Sequence, residues 1–136
     1  MKKINCILLV DDNVADNYFN EYIIMHGDVC NQTRVALNGL EALAYLRKAG
    51  EQSQIEFPKP DIIFLDINMP RMNGFEFLEE YKKLDEALKS KVLIIMLTTS
   101  LNPYDKERAM TYEEVSEFQT KPLSIDVVKE IIERHF

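Results

Sequence analysis

Tryptophan is absent from the 136 residues, and glycine (four), proline (five), cysteine (two) and histidine (two) are scarce. So little Gly and Pro excludes collagen-like and low-complexity chains. Two cysteines in a chain of this length make no disulfide framework; Cys6 and Cys30 read as reduced thiols, which points to the cytoplasm. Long apolar runs are missing too. Runs such as Ile62–Leu65 and Val92–Leu97 are far too short to cross a bilayer, so no membrane insertion is expected. The start, Met1-Lys2-Lys3-Ile4-Asn5, carries no signal-peptide core before Asp11-Asp12 interrupts it. Positive charge is in deficit: 16 Lys and Arg against 23 Asp and Glu leave a net charge of −7. Such a chain gains no counterion-release energy from a phosphate backbone, so direct nucleic-acid binding is not expected. What is present is ordinary for a globular protein, with 46% hydrophobic and 29% charged residues. The length fits a single domain over residues 1–136 with no output domain.

Strand-like and helix-like segments alternate along the chain. The apolar run Ile4–Val10 stops at Asp11-Asp12, and from Asn13 the period becomes helical. Val14, Tyr18 and Tyr22 recur every four residues with Ala15, Phe19 and Ile23 beside them, and Tyr18, Phe19 and Tyr22 fit core packing of that first helix. Gly27 stops it. A weaker strand covers about 31–37. Asn38 and Glu41 read as a capping box for a helix ending near Gly50, and 51–60 as a polar loop. Asp61–Asp66 holds four consecutive apolar residues, the mark of a strand covered on both faces. Further helices are expected from Gly74, from Pro103 to about Tyr112, and from a Ser124 cap through Ile132; further strands are Val92–Leu97 and Val115–Thr120. The order is (βα)5, an α/β fold with an open parallel sheet and helices on both faces.

Chemistry in such folds lies beyond the carboxyl ends of the strands. Asp11 and Asp12 follow the first strand, Asp66 ends the third, Thr98 the fourth and Lys121 the fifth. If the strands lie in the order 2-1-3-4-5, Asp11, Asp12 and Asp66 converge, with Thr98 and Lys121 beside them. Three carboxylates so close repel one another and call for a cation. Hard oxygen ligands select Mg²⁺, with Mn²⁺ or Ca²⁺ able to substitute, over zinc. Each of these residues has a plainer role taken singly: a cap, a turn residue, a β-former, an exposed cation. Their conjunction at four strand ends out of five is what points to a phosphoryl site. His26 and His135 are isolated near helix ends, where a cation is favourable, and Glu76, Glu79, Glu80, Lys82 and Lys83 read as a solvated helix face.

Four pieces now carry a resemblance: Ile7-Leu8-Leu9-Val10-Asp11-Asp12; Asp61-Ile62-Ile63-Phe64-Leu65-Asp66-Ile67-Asn68-Met69-Pro70-Arg71-Met72-Asn73-Gly74; Leu97-Thr98-Thr99-Ser100; and Phe118-Gln119-Thr120-Lys121-Pro122. In this order and at these spacings the chain resembles the receiver domains of two-component response regulators over nearly its whole length. The third piece and the long loop before Asp61 look most like the stand-alone receivers associated with phytochrome-type and hybrid kinases.

The resemblance implies a flavodoxin-like, doubly wound five-stranded sheet of order 2-1-3-4-5. It implies that Asp66 takes a phosphoryl group from a kinase phosphohistidine. Asp12, Asp66 and the backbone carbonyl of Asn68 would bind Mg²⁺ directly, with Asp11 acting partly through water. Lys121 would pair with a phosphoryl oxygen and Thr98 would hydrogen-bond another. Thr98 and Phe118 would form the switch that alters the surface around 103–112 and 118–130, and the Lys121–Pro122 bond would be cis. Implied partners are a histidine kinase or phosphotransfer protein and a downstream target, with a homodimer compatible. The chain would be no enzyme beyond catalysing its own phosphorylation and dephosphorylation. Three departures stand out: Thr99 in place of a small residue, Glu113-Glu114-Val115 before the last strand, and Phe118 in place of Tyr. Asn68 and Ser100 would flank the path of an attacking water. A dehalogenase-type phosphatase would need a second acid where Asn68 stands, and a flavin-phosphate binder would be repelled by Asp11-Asp12. A receiver-shaped module that is never phosphorylated would have no use for the intact acid set.

Overall fold

The structure is a computed structural model that describes residues 2–51 and 55–136. Five strands, β1 (Ile4–Val10), β2 (Cys30–Ala36), β3 (Ile62–Leu65), β4 (Leu93–Thr98) and β5 (Val115–Thr120), alternate with six helices: α1 (Val14–His26), α2 (Gly39–Glu51), α3 (Gly74–Tyr81), α4 (Glu86–Lys89), α5 (Pro103–Met110) and α6 (Ile125–His135). All strands pair in parallel, in the order β2-β1-β3-β4-β5. The expected (βα)5 arrangement is therefore present, with one addition. The four-residue α4 is too short to show a helical period; Lys89 and Glu86 face each other across it at 3.8 Å. Part of the loop expected at 51–60 lies outside the described residues; Glu51 itself closes α2.

The continuous apolar strands have a simple cause, since alternate residues feed two cores. Leu8, Val10, Ile63, Leu65, Ile94 and Met96 face α2, α3 and α5, meeting Leu43, Leu46, Phe75, Phe77 and Leu78. Ile7, Leu9, Ile62, Phe64, Ile95 and Leu97 face α1 and α6, meeting Ile24, Val128, Ile131 and Ile132. Fully burying side chains of this size contributes about 1.5–3 kcal/mol each before entropy is counted, so both faces hold the sheet rigid.

Helix α1 departs from expectation. Tyr18, Phe19 and Tyr22 are 74, 46 and 55% exposed, so they are not core residues. The buried face is Asn17, Asn20 and Ile24. The reason lies at the strand ends: Asn17 Nδ2 donates to the Asp11 carbonyl at 2.8 Å, so the helix turns a polar stripe inward where β1 stops. The cap of α2 differs in detail as well. Asn38 Oδ1 accepts from Glu41 N at 3.0 Å as expected, but Glu41 Oε1 accepts from Leu37 N rather than from Asn38. Among the described residues no helix is long and apolar enough to cross a membrane. Cys6 and Cys30 are buried free thiols.

Candidate functional site

Strand register assembles the site. Val10 pairs with Leu65 and Leu65 with Met96, so Asp11 and Asp66 emerge together at the carboxyl edge of the sheet. Asp11 N donates to Ala36 O and Asp66 N to Val10 O, each at 3.0 Å, which continues the ladder one step past the strands. On the other side Thr98 pairs with Thr120, and Lys121 N donates to Thr98 O at 2.9 Å. The Lys121–Pro122 bond is cis, as the resemblance implied. Asp11, Asp12, Asn13, Asp16, Asp66, Asn68, Thr99 and Lys121 line an open depression of about 620 Å³. Every strand-end residue singled out in the sequence is thus at one pole of the molecule.

Inside the depression the Lys121 ammonium donates to Asp11 Oδ2 at 2.5 Å and to Asp16 Oδ2 at 2.8 Å, while Asp66 Oδ2 stands 3.6 Å away. Burial works to lower the Lys121 pKa, but the hydrogen bonds to Asp11 and Asp16 and the Asp66 charge outweigh it and hold it above the usual lysine range. The Asp66 pKa rises as well, which for a carboxylate disfavours the charged form. Burial, reinforced by the Asp11 charge, pushes it up to about 6, against the pull of Lys121, the Ile67 N–H and the Thr98 hydroxyl. One Asp66 oxygen, Oδ1, accepts from Ile67 N at 2.9 Å. Oxygens of Asp11, Asp12 and Asp66 lie within 4.8 Å of one another. An all-oxygen set of this charge suits a hard divalent cation, so these residues fit the Mg²⁺ that the sequence implied.

Two residues important here, and the packing role of a third, escaped the sequence reading. Asp16 adds a fourth carboxylate to the depression, and Asn17 anchors α1 to β1. Both sit with Asn13 and Asn20 on a polar helical stripe that the competing apolar stripe obscured. The third is Gly74. A Cβ there would collide with the Asp66 carbonyl oxygen, and Gly74 N donates to Ile67 O at 2.9 Å, so only glycine lets the loop 67–73 close beneath Asp66. Ser100 is not aimed at the depression: its hydroxyl donates to Asp105 Oδ2 at 2.5 Å at the start of α5. Phe118 is half-buried against the core beneath α5 rather than exposed.

The sequence and the fold match known proteins. The sequence profile of the response regulator receiver domain matches residues 7–133. The chain belongs to the response regulator receiver family of two-component signalling. It is 32% identical to response regulator Rcp1 of Synechocystis over 99 residues, covering 73% of this chain and 65% of that one, so the match spans just under two thirds of the relative. Among solved structures, a two-component response regulator from Cytophaga hutchinsonii superposes with a TM-score of 0.84 at 29% identity, covering 98% of this chain and 97% of that one. The phosphorylated cyanobacterial phytochrome response regulator RcpA superposes with a TM-score of 0.73 at 30% identity, covering 96% of this receiver and 90% of RcpA.

Proposed function

We propose that this receiver accepts a phosphoryl group on Asp66 from the phosphohistidine of a histidine kinase or phosphotransfer protein. The resulting change of surface is then read by a downstream protein or passed along a phosphorelay. The observation that carries the reading is Asp66 itself: a carboxylate at a strand end, burdened by burial and by Asp11, with a lysine ammonium 3.6 Å away. Such a group is poised as a nucleophile whose product has a cation within reach.

Asp12 and Asp66, with the Asn68 carbonyl and with Asp11 through water, would hold Mg²⁺. When bound, the ion neutralises charge that otherwise repels an incoming phosphoryl group. The rest falls to the chain. An Asp66 oxygen forms the bond to phosphorus as the phosphorus–nitrogen bond breaks, and the electron pair stays on the imidazole. Lys121 then moves from its present partners onto a phosphoryl oxygen. Thr98, whose hydroxyl oxygen now accepts from Ser100 N at 3.2 Å, turns to donate to another. Because Ser100 is tied to Asp105, this turn pulls on the start of α5, and Phe118 follows into the space Thr98 leaves. The surface over 103–112 and 118–130 therefore differs between the two states, and a partner that prefers one of them shifts the population. Two buried free thiols fit a reducing cytoplasm. The chain's catalysis would be confined to forming and hydrolysing its own aspartyl phosphate.

Phosphotransfer tests the reading. A phosphorylated histidine kinase or acetyl phosphate should place hydroxylamine-sensitive label on the wild-type chain and none on Asp66→Asn. Undiminished label on the variant would move the acceptor elsewhere.

A further inference from the structure

Two helices of this protein begin with the same device used differently. In α3, Asn73 Oδ1 accepts from Glu76 N at 2.9 Å and Glu76 Oε1 accepts in return from Asn73 N, a closed capping box. In α1, Asn13 Oδ1 likewise accepts from Asp16 N at 3.0 Å. The return bond is not made by Asp16. Asn13 N donates instead to Asp11 Oδ1 at 2.9 Å. Asp11 has taken over the local task of the third helical residue, and the Asp16 carboxylate is released from the cap. It crosses the depression to Lys121, 105 residues away in sequence, at 2.8 Å.

Lys121 has three ammonium protons. Asp11 and Asp16 each take one, and Asp66 at 3.6 Å is outside good hydrogen-bonding range. We propose that Asp16 is a positioning residue, a counter-ion that holds the Lys121 ammonium off Asp66 in the unphosphorylated chain and so slows phosphoryl acceptance. Asp11 does not do this alone, because a cation held by the acidic cluster would draw its charge away from Lys121, whereas Asp16 lies outside that cluster. The phosphoryl group must therefore compete with Asp16 for the lysine, both on arrival and throughout its stay. The Asp16 side chain is 38% exposed against 6% for Asp11, so water screens the restraint and keeps it weak enough to be broken.

The proposal rests on Asp66 being the acceptor, and the test separates the two. Label from phosphoramidate at saturating Mg²⁺ is followed by mass or phosphate-affinity gel, since the chain has no tryptophan to report. Asp16→Asn keeps the backbone bond from residue 16 to Asn13 while removing the charge. It should be labelled about two- to fivefold faster than wild type, the range expected for a half-exposed ion pair. In a Lys121→Gln background the same substitution should change the rate by less than about 1.5-fold, because its effect passes through the lysine. Equal acceleration in both backgrounds would mean a general charge effect and overturn the proposal, as would a wild-type or slower rate for Asp16→Asn alone. A second readout does not depend on labelling. The Lys121 Nζ resonance in nitrogen-15 NMR should shift in Asp16→Asn toward its position in the phosphorylated wild type, and an unmoved resonance overturns the proposal. Label persisting on Asp66→Asn would defeat the acceptor assignment instead.

Discussion

Strand β3 is bracketed by two aspartates that share a backbone and little else. Asp61, at its entry, has one carboxylate oxygen accepting from Asn5 N at 2.8 Å and Cys6 N at 3.1 Å, which clips β3 to β1. Asp66, at its exit, receives one backbone donor, faces Asp11, and has its lysine held 3.6 Å off by other acids. One carboxylate is satisfied and serves the fold. The other is left with unmet demand, and that demand suits it to take up a cation and a phosphoryl group. Parallel topology makes the difference, since main-chain donors at the sheet's entry edge complete the first, while the exit edge gathers β1, β4 and β5 side chains around the second.

Exchanging the two roles gives the largest expected effect. Asp66→Asn should lose all labelling. Asp61→Ala should label within about twofold of wild type, yet lose about 1–3 kcal/mol of stability as two backbone donors go unmet. Denaturant melts and labelling run on both variants check this; loss of labelling in a folded Asp61→Ala would break the contrast.

Metal comes next. Excess chelator should abolish labelling. Asp11→Ala should weaken Mg²⁺ binding about 10–100-fold, as outer-sphere losses do, and Asp12→Ala by more. Calorimetric titration of both variants ranks them, and the reverse order would reassign the direct ligand.

How legible was all this in the sequence? The exit edge was, because the doubly covered strands β1, β3 and β4 are apolar runs whose abrupt polar ends name Asp11, Asp66 and Thr98; β5 is a mixed strand, and Lys121 was legible only from its place after it. The rotation of α1 was not. Its apolar stripe through Val14, Tyr18 and Tyr22 is the stronger pattern, and only the bond from Asn17 to the Asp11 carbonyl shows why the polar stripe turns inward. The Asp16–Lys121 pair joins residues too distant in sequence for any local pattern. Helix α4 is shorter than the window any period needs.

A smaller effect concerns stability. In metal-free protein Asp66 titrates near 6 in the fold, against an ordinary 3.8. The native state therefore holds the proton more tightly than the unfolded chain between those values. Stability from this group rises as pH falls through 6 and is fully gained below about 4; above 6 the ionised group is a net cost. Asp66→Asn removes that cost. In chelator at pH 7.5 the variant should be about 1–2 kcal/mol more stable than wild type, and the gap should close by pH 4. Urea melts at the two pH values read it directly, and an equal or lower stability at pH 7.5 would mean the acidic edge carries no strain.

The smallest effect tests whether charge or shape distinguishes the exit edge. Thr99 is exposed on the rim of the depression, where a smaller residue was expected from the resemblance. No hydrogen bond ties its hydroxyl to Asp66, whose oxygens are engaged by Ile67 N, the Thr98 hydroxyl and the lysine's field. If charge governs, trimming the rim alters neither the neighbours of Asp66 nor the position of Lys121. Thr99→Ala should then change the hydrolysis rate of the aspartyl phosphate by about twofold or less, the scale of an ordinary surface substitution of under about 0.5 kcal/mol. The loss of label after desalting away the phosphodonor measures it. A change beyond about tenfold, more than about 1.4 kcal/mol, would show that the mouth's width controls water's approach to the phosphoryl group. The contrast between Asp61 and Asp66 would then need shape as well as charge.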